Sequence, residues 1–238
     1  MTPLELERQV RSMDPWFHDL DIHGVRTAPD HPLGNFLRNL WSVVQPSLPD
    51  DMAGMTALDI GCNAGFYSHR LHERGARVTA IDHDPRYLAQ ARFAAEQLGY
   101  DIDFRQVDAY DVESLGQKFD YVIFMGVLYH LRHPLLALDR IAGIVKERLV
   151  VQCMVRGAPA GMKVEDDYSI EERAIFDDPR YPAMYFVEGK YAGDWTNWWI
   201  PNEAGLGAML RSAGLRLDAH PAPEVYICSP AASGAGAP

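Results

Sequence analysis

The chain has little with which to build disulfide or metal chemistry. It holds three cysteines, Cys62, Cys153 and Cys228, with no C-x-x-C spacing, each in or beside an apolar run. They read as reduced, buried small residues, and zinc is not expected. The pairs His69/His72 and His130/His133 have the spacing of helical metal ligands, but neither has a third ligand at a recognisable distance, so no metal is expected. No apolar run approaches the ~18 residues that span a bilayer. The first residues, Met1 to Arg8, carry no apolar signal core, and the expectation is a soluble, cytoplasmic protein without a membrane partner. Runs of Lys or Arg are also missing, and the net charge is −11. Proteins that grip a phosphate backbone carry a basic face. A large nucleic-acid partner is therefore disfavoured, although a local basic patch inside an acidic total keeps tRNA open.

Apolar residues, in contrast, make up 47% of the chain, enough for the core of one large domain with an appended subregion. Residues 1–53 are expected to form an N-terminal helical cap. Thr2, Pro3 and Glu5 spell a capped helix running to about Met13. A second helix is predicted from Pro32 to Val44, after a loop from Arg26 to Gly34. From Thr56 the pattern alternates. Strands are predicted at 56–60, 77–81, 102–107, 120–124 and 148–153, with helices at 64–74, 85–98 and 134–145. A helix capped by Asn202 and stopped by Gly214 follows, then strands at 215–219 and 224–228. This order predicts an α/β fold of the Rossmann-like, doubly wound kind. Its mostly parallel seven-stranded sheet ends in an antiparallel edge hairpin. The main domain is placed at 54–228, with a long acceptor-side insertion at 155–200 and a low-complexity, disordered tail at 229–238.

Chemistry concentrates at the first strand–turn–helix, Asp59-x-Gly61-x-Asn63-x-Gly65. Glycine suits a backbone that takes positive φ or is approached closely by a ligand, and Asn tolerates the left-handed region better than most residues. The spacing is wrong for the G-x-G-x-x-G of a pyrophosphate site. An adenosyl amino acid, with one ammonium and one carboxylate, fits better. Asp59 orders the turn and balances a positive donor, while helix N-terminal amides favour the carboxylate. Asp82, with His83 beside it, ends the second strand and suits a ribose diol. Asp108 and Ala109 end the third and suit an adenine amino group and ring nitrogen. Any one of these acids can equally be a helix cap; together with the turn they point to S-adenosyl-L-methionine as cofactor.

Asp59 to Ser68, with Ile81-Asp82 and Asp108, resembles a class I S-adenosylmethionine-dependent methyltransferase over residues 54–153. Phe124 to Pro134 and Trp198-Trp199-Ile200-Pro201-Asn202 are similar to the bacterial enzymes that carboxymethylate the tRNA wobble uridine, and to their relatives of unassigned substrate. That resemblance implies that Met125 and Tyr129 line the cofactor site. It also exposes a departure. That family holds the extra carboxylate of its donor with N-terminal lysines and tryptophans and a C-terminal arginine. The segment before Thr56 has no lysine, and no arginine follows Cys228. An unpaired carboxylate in a partly buried site is costly, so the expected donor is ordinary S-adenosylmethionine and the expected acceptor a small molecule.

On the acceptor side, Tyr129 and His130 follow the fourth strand. His130 is either a base near neutral pH or a loop-shaping hydrogen-bonder. The aromatics Tyr181, Tyr185, Phe186, Tyr191, Trp195, Trp198 and Trp199 either wall a pocket or fill a satellite core. Trp195, Asn197 and Trp198 are the candidate substrate contacts, with Trp16, Phe17 and His23 closing the other side. The remaining alternatives are a tRNA-modifying transferase and a non-catalytic cofactor-binding protein that acts through a partner.

Overall fold

The computed structural model describes residues 2–159 and 162–232. Its first helix, α1 (Pro3–Ser12), starts as the sequence predicts: Glu5 N donates to Thr2 Oγ1 at 3.3 Å and Thr2 N to Glu5 Oε2 at 2.8 Å. The reciprocal bonds satisfy two of the amides that every helix start leaves open. A miniature hairpin follows, β1 (Asp21–Ile22) with β2 (Val25–Arg26), so the cap is not wholly helical. The second helix, α2 (Phe36–Val44), does not begin at Pro32 as expected. Gly34 takes φ +54° and Asn35 supplies no side-chain cap, so the chain is still turning before Phe36.

The alternating region forms β3 (Thr56–Ile60), α3 (Phe66–Glu73), β4 (Arg77–Asp82), α4 (Pro85–Leu98), β5 (Asp103–Gln106), β6 (Phe119–Met125), α5 (Pro134–Ile144) and β7 (Val145–Gln152). Beyond it lie β8 (Met184–Phe186), β9 (Trp199–Pro201), α6 (Glu203–Ser212), β10 (Leu215–Ala222) and β11 (Val225–Pro230). Seven strands make one sheet in the order β10-β11-β7-β6-β3-β4-β5. β5, β4, β3, β6 and β7 are mutually parallel, and β11 runs antiparallel to both β7 and β10. This is the expected Rossmann-like sheet with its antiparallel edge hairpin, the second strand of the hairpin lying inward. Among the described residues no helix is long and apolar enough to cross a membrane.

Residue alternation along the strands divides the core. Leu58 and Ile60 of β3 face α5 and α6, packing with Leu138, Ile141 and Leu206. Ala57 faces the other way, with Phe66, Tyr67 and Leu71 of α3 and with Leu6, Val10, Trp16, Trp41 and Val44 of the N-terminal region. Residues 1–53 therefore complete one sheet face rather than stand apart from it. The three cysteines are free and buried.

Several boundaries move. α3 starts at Phe66, not Ala64, because Gly65 enters it in the left-handed region. β7 continues from α5 with no loop, and β10 and β11 run beyond their expected ends. Ser229 and Pro230 belong to β11, so the expected tail cannot begin at 229; residues 233–238 lie outside the described residues. The insertion is not a bare loop either. β8 and β9 pair antiparallel, Tyr185 opposite Ile200. Asn202, fully buried, anchors them: its Oδ1 accepts from Ala183 N and Gly205 N, and its Nδ2 donates to the carbonyls of Pro179 and Tyr181. One side chain thus caps α6 and ties down the insertion.

Candidate functional site

The chain leaves β3 to build β4 and β5 on one side, then returns to build β6 and β7 on the other. The strand order reverses at β3/β6, and such a switch point opens a crevice at the carboxyl ends of the strands. Two turns line it, 61–65 after β3 and 126–130 after β6. Gly61, Asn63 and Gly65 take φ +71°, +48° and +88°. A Cβ on Gly61 would run into the Val127 side chain, so the turns approach to within the space only a glycine leaves.

The turn satisfies its own amides. Gly61 N and Cys62 N donate to Ile81 O, Asn63 N to Asp82 Oδ2, Ala64 N to Asn63 Oδ1 and Gly65 N to Cys62 O. The first helical amide, Phe66 N, donates to His18 Nδ1 at 3.2 Å. The amides of the turn and the first helical amide are therefore already bonded within the fold, and a donor carboxylate would have to be held by amides further along α3 or by side chains.

The strand-end acids differ in their work. Asp59 points to the α3 face and is 1% exposed, with Ser68 Oγ donating to its Oδ2 at 2.6 Å. Burial pushes its carboxyl up to about 7, against the hydrogen bonds from Ser68. Asp82 accepts Asn63 N at Oδ2 and Asp84 N at Oδ1, both at 2.9 Å. Burial raises its pKa too, opposed by those amides. Each oxygen keeps a further lone pair. His83 is largely exposed, its Nδ1 3.5 Å from Asp82 Oδ1. Asp108 caps the short 3-10 helix Ala109–Leu115 by accepting Tyr110 N at 2.9 Å, and Ala109 is buried. Met125, also buried, ends β6.

After β6 the chain makes a 3-10 turn, Leu128–His130. The Tyr129 and His130 rings lie 4.3 Å apart between centroids. Burial raises the Tyr129 phenol, with Cys153, Glu224 and Asp194 adding to it. The His130 ring engages Thr196: its Nδ1 meets Thr196 Oγ1 at 2.9 Å, and the Thr196 backbone also hydrogen-bonds to it. The expected substrate contacts separate. Trp195 is 71% exposed. Trp198 is half-buried under the Arg132 guanidinium, 4.6 Å from the ring centroid. Asn197 is buried, its Nδ2 donating to the carbonyls of Tyr191 and Asp194, while its Oδ1 has no partner among the described residues.

The N-terminal closure is corrected as well. Trp16 is buried and donates to Val10 O, His23 meets Gln97 O, and Phe17 is exposed against His31. Their neighbour His18 is the residue that meets α3. With Nδ1 accepting from Phe66 N and burial lowering its pKa to about 3, its proton sits on Nε2. Tyr67 was also missed; its hydroxyl is buried without a partner among the described residues. His18 stands in no motif and only packing brings it to the site; Tyr67 lies inside the Asp59–Ser68 segment, but only the fold shows its hydroxyl buried there.

Residues 51–172 match the family described as a methyltransferase domain. The chain belongs to the class I S-adenosylmethionine-dependent methyltransferase family. Over 177 residues it is 36% identical to a ubiquinone biosynthesis O-methyltransferase of Cereibacter sphaeroides, a match covering 71% of this chain and 63% of that protein. Over 219 residues it is 26% identical to a tRNA U34 carboxymethyltransferase of Methylococcus capsulatus, covering 90% of this chain and 60% of that protein. The matches thus span less than two thirds of either relative. Among solved structures, the N-terminal domain of EvdMO1 with SAH bound is similar at a TM-score of 0.64 and 20% identity, over 96% of this chain and 95% of that one. The [4+2]-cyclase SpnF is similar at 0.58 and 23%, over 90% of this chain and 70% of that one. At these identities the likeness is one of fold, and fold alone does not assign a reaction.

For a methyltransferase, the crevice passes a physical test. A glycine cradle that a Cβ would fill, a buried acid near neutrality and an orphaned Tyr67 hydroxyl suit a positively charged donor with polar groups. They do not suit a pyrophosphate, because the turn has no amides left to offer one.

Proposed function

We propose that this protein transfers a methyl group from S-adenosylmethionine to a small-molecule acceptor. The contact of Gly61 with Val127 carries this reading, because it brings the donor-type turn and the Tyr129-His130 turn to one crevice. S-adenosylmethionine supplies a methyl group activated by its sulfonium. The turn Gly61–Gly65 would cradle it, with Asp59 beneath as a counter-charge. Asp82 and His83 would take the ribose diol, Asp108 and Ala109 the adenine, and Met125 and Tyr129 the sulfonium side. Trp198 and Asn197 would bound the acceptor side, with Trp195 at its rim. Alignment and exclusion of water are what such a transfer needs most.

The 36% identity to an O-methyltransferase and the net charge of −11 support a small acceptor. The second reading, a tRNA-modifying transferase, draws on the 219-residue match to the tRNA enzyme. Calorimetry with S-adenosylhomocysteine, its carboxylated analogue and NAD separates them. We expect tight binding of the first alone. Preference for the carboxylated compound would favour the tRNA reading, and no binding of S-adenosylhomocysteine would refute methyl transfer. A screen for metabolites that gain a methyl group then identifies the acceptor.

A further inference from the structure

The end of the insertion is built to hold one carboxylate still. Tyr191 and Asp194 exchange both backbone hydrogen bonds at 3.0 Å around Ala192 and Gly193, whose φ values are +53° and +80°. Positive φ at both central residues is the signature of the tightest hairpin turn. Asn197 Nδ2 clamps it by donating to the carbonyls of both Tyr191 and Asp194. The turn is then docked on the segment after β6: Trp198 N donates to Tyr129 O at 2.9 Å and Trp199 Nε1 to Arg132 O at 3.1 Å.

Within that frame Thr196 donates twice to one oxygen, N and Oγ1 each lying 2.7 Å from Asp194 Oδ1. Asp194 is ionised: its burial is outweighed by these two bonds and by His130, and its pKa falls. An ionised carboxylate only accepts, so the single hydroxyl proton of Thr196 points at Asp194. Its oxygen is left to accept, and His130 Nδ1 at 2.9 Å must be the donor. The imidazole is therefore the Nδ1–H tautomer, with its lone pair on Nε2. No described residue bonds Nε2, and the side chain is a third exposed (32%). The charged or titratable groups facing the ring are Asp194 Oδ2, 3.9 Å from Nδ1, His83 from the end of β4, and Tyr129 on its own turn. Burial, opposed by Asp194 and by a Thr196 backbone hydrogen bond, lowers the His130 pKa, so the ring is neutral and ready to accept at pH 7.

We infer that Thr196 and Asp194 are positioning residues that hold His130 as the base of the reaction, for an acceptor that arrives with its proton on a weakly acidic hydroxyl. The inference rests on the methyl-transfer reading and adds the substrate class to it. His130 Nε2 takes the hydroxyl proton as the acceptor oxygen bonds to the methyl carbon. The pair of the broken carbon–sulfur bond returns to sulfur. The imidazolium that forms is stabilised through Nδ1–H, the Thr196 hydroxyl and the Asp194 carboxylate, and later releases its proton to water. The same relay makes catalysis depend on a docked insertion, so a base and an acceptor wall are assembled together.

The test is 15N NMR of protein labelled at histidine, with the His130 signals assigned by their loss in His130→Gln. The expected wild-type spectrum shows Nδ1 protonated and Nε2 bare. Thr196→Val removes the acceptor and is expected to move the proton to Nε2; Thr196→Ser restores the wild-type tautomer. Asp194→Asn keeps the tautomer and lowers the ring pKa, because an opposite charge facing the ring is lost. S-adenosylhomocysteine affinity, measured alongside, stays within about twofold in all three, on the order of 0.4 kcal/mol. A wild-type ring protonated on Nε2, or a Thr196→Val ring with an unchanged tautomer, would overturn the relay. Failure to bind S-adenosylhomocysteine would instead overturn the methyl-transfer reading, and the two failures are read from separate measurements.

Discussion

Asn63 N donates to Asp82 Oδ2 at 2.9 Å, so the turn after β3 hangs on the end of β4. The other oxygen of the same carboxylate takes Asp84 N at the start of α4. Asp82 therefore shapes the site before any ligand enters. Asp82→Ala removes two bonds to a charged acceptor, a loss of about 2–3 kcal/mol. A fall in melting temperature of roughly 5–10 °C is expected, together with weaker S-adenosylhomocysteine binding by calorimetry. A variant that loses affinity at unchanged melting temperature would show that Asp82 serves the ligand alone.

Asp59 sets a pH dependence. Its folded pKa is pushed up to about 7, from 3.8 as the ordinary value. Between those limits the folded state holds a proton that the unfolded chain has released, so this group lowers stability as pH rises from about 4 to about 7. Asp82, raised by the same cause, acts in the same sense and is present alike in wild type and in Asp59→Asn. The melting temperature of Asp59→Asn minus that of wild type should therefore climb across this window and level off above it. A flat difference from pH 4 to 8 in thermal melts would contradict the buried-acid assignment.

Gly61 and Val127 form a coupled pair. Gly61→Ala places a methyl against the Val127 side chain at a φ of +71°. Left-handed backbone costs about 1–2 kcal/mol, and overpacking about 1–3 kcal/mol more. Val127→Ala should recover the overpacking part only. In a double-mutant cycle on stability and on S-adenosylhomocysteine affinity, a coupling of about 1–3 kcal/mol is expected. Additive effects would mean that the two turns do not touch.

Asn202 tests the anchoring of the insertion. Asn202→Asp keeps the acceptor for Ala183 N and Gly205 N but turns a second oxygen on the carbonyls of Pro179 and Tyr181. A buried carboxylate facing two acceptors is worse than a cavity. Asn202→Asp should therefore be less stable than Asn202→Ala, itself down by about 2 kcal/mol from the lost cap and bonds. Chemical denaturation of both ranks them, and faster proteolysis between 180 and 200 should accompany the loss.

What was legible in the sequence was local. The capping box of Thr2 and Glu5, the Asn202 cap, the strand–helix alternation and the Gly61–Gly65 turn all depend on residues within a few positions of one another, where spacing and φ preference suffice. From them follow the doubly wound sheet and the crevice at its switch point. What the tertiary structure decided was which partner each polar group meets. His18 reaches Phe66 across 48 positions and Thr196 reaches His130 across 66, and no periodicity encodes such pairs. The same holds for the amides of the turn: the sequence makes them available, but only the fold shows them already bonded to Ile81, Asp82 and His18. Pattern determines where an element lies, because helix and strand are short-range solutions of the backbone. Function at this crevice depends on hydrogen-bond satisfaction between segments remote in sequence, which exists only once the chain is packed.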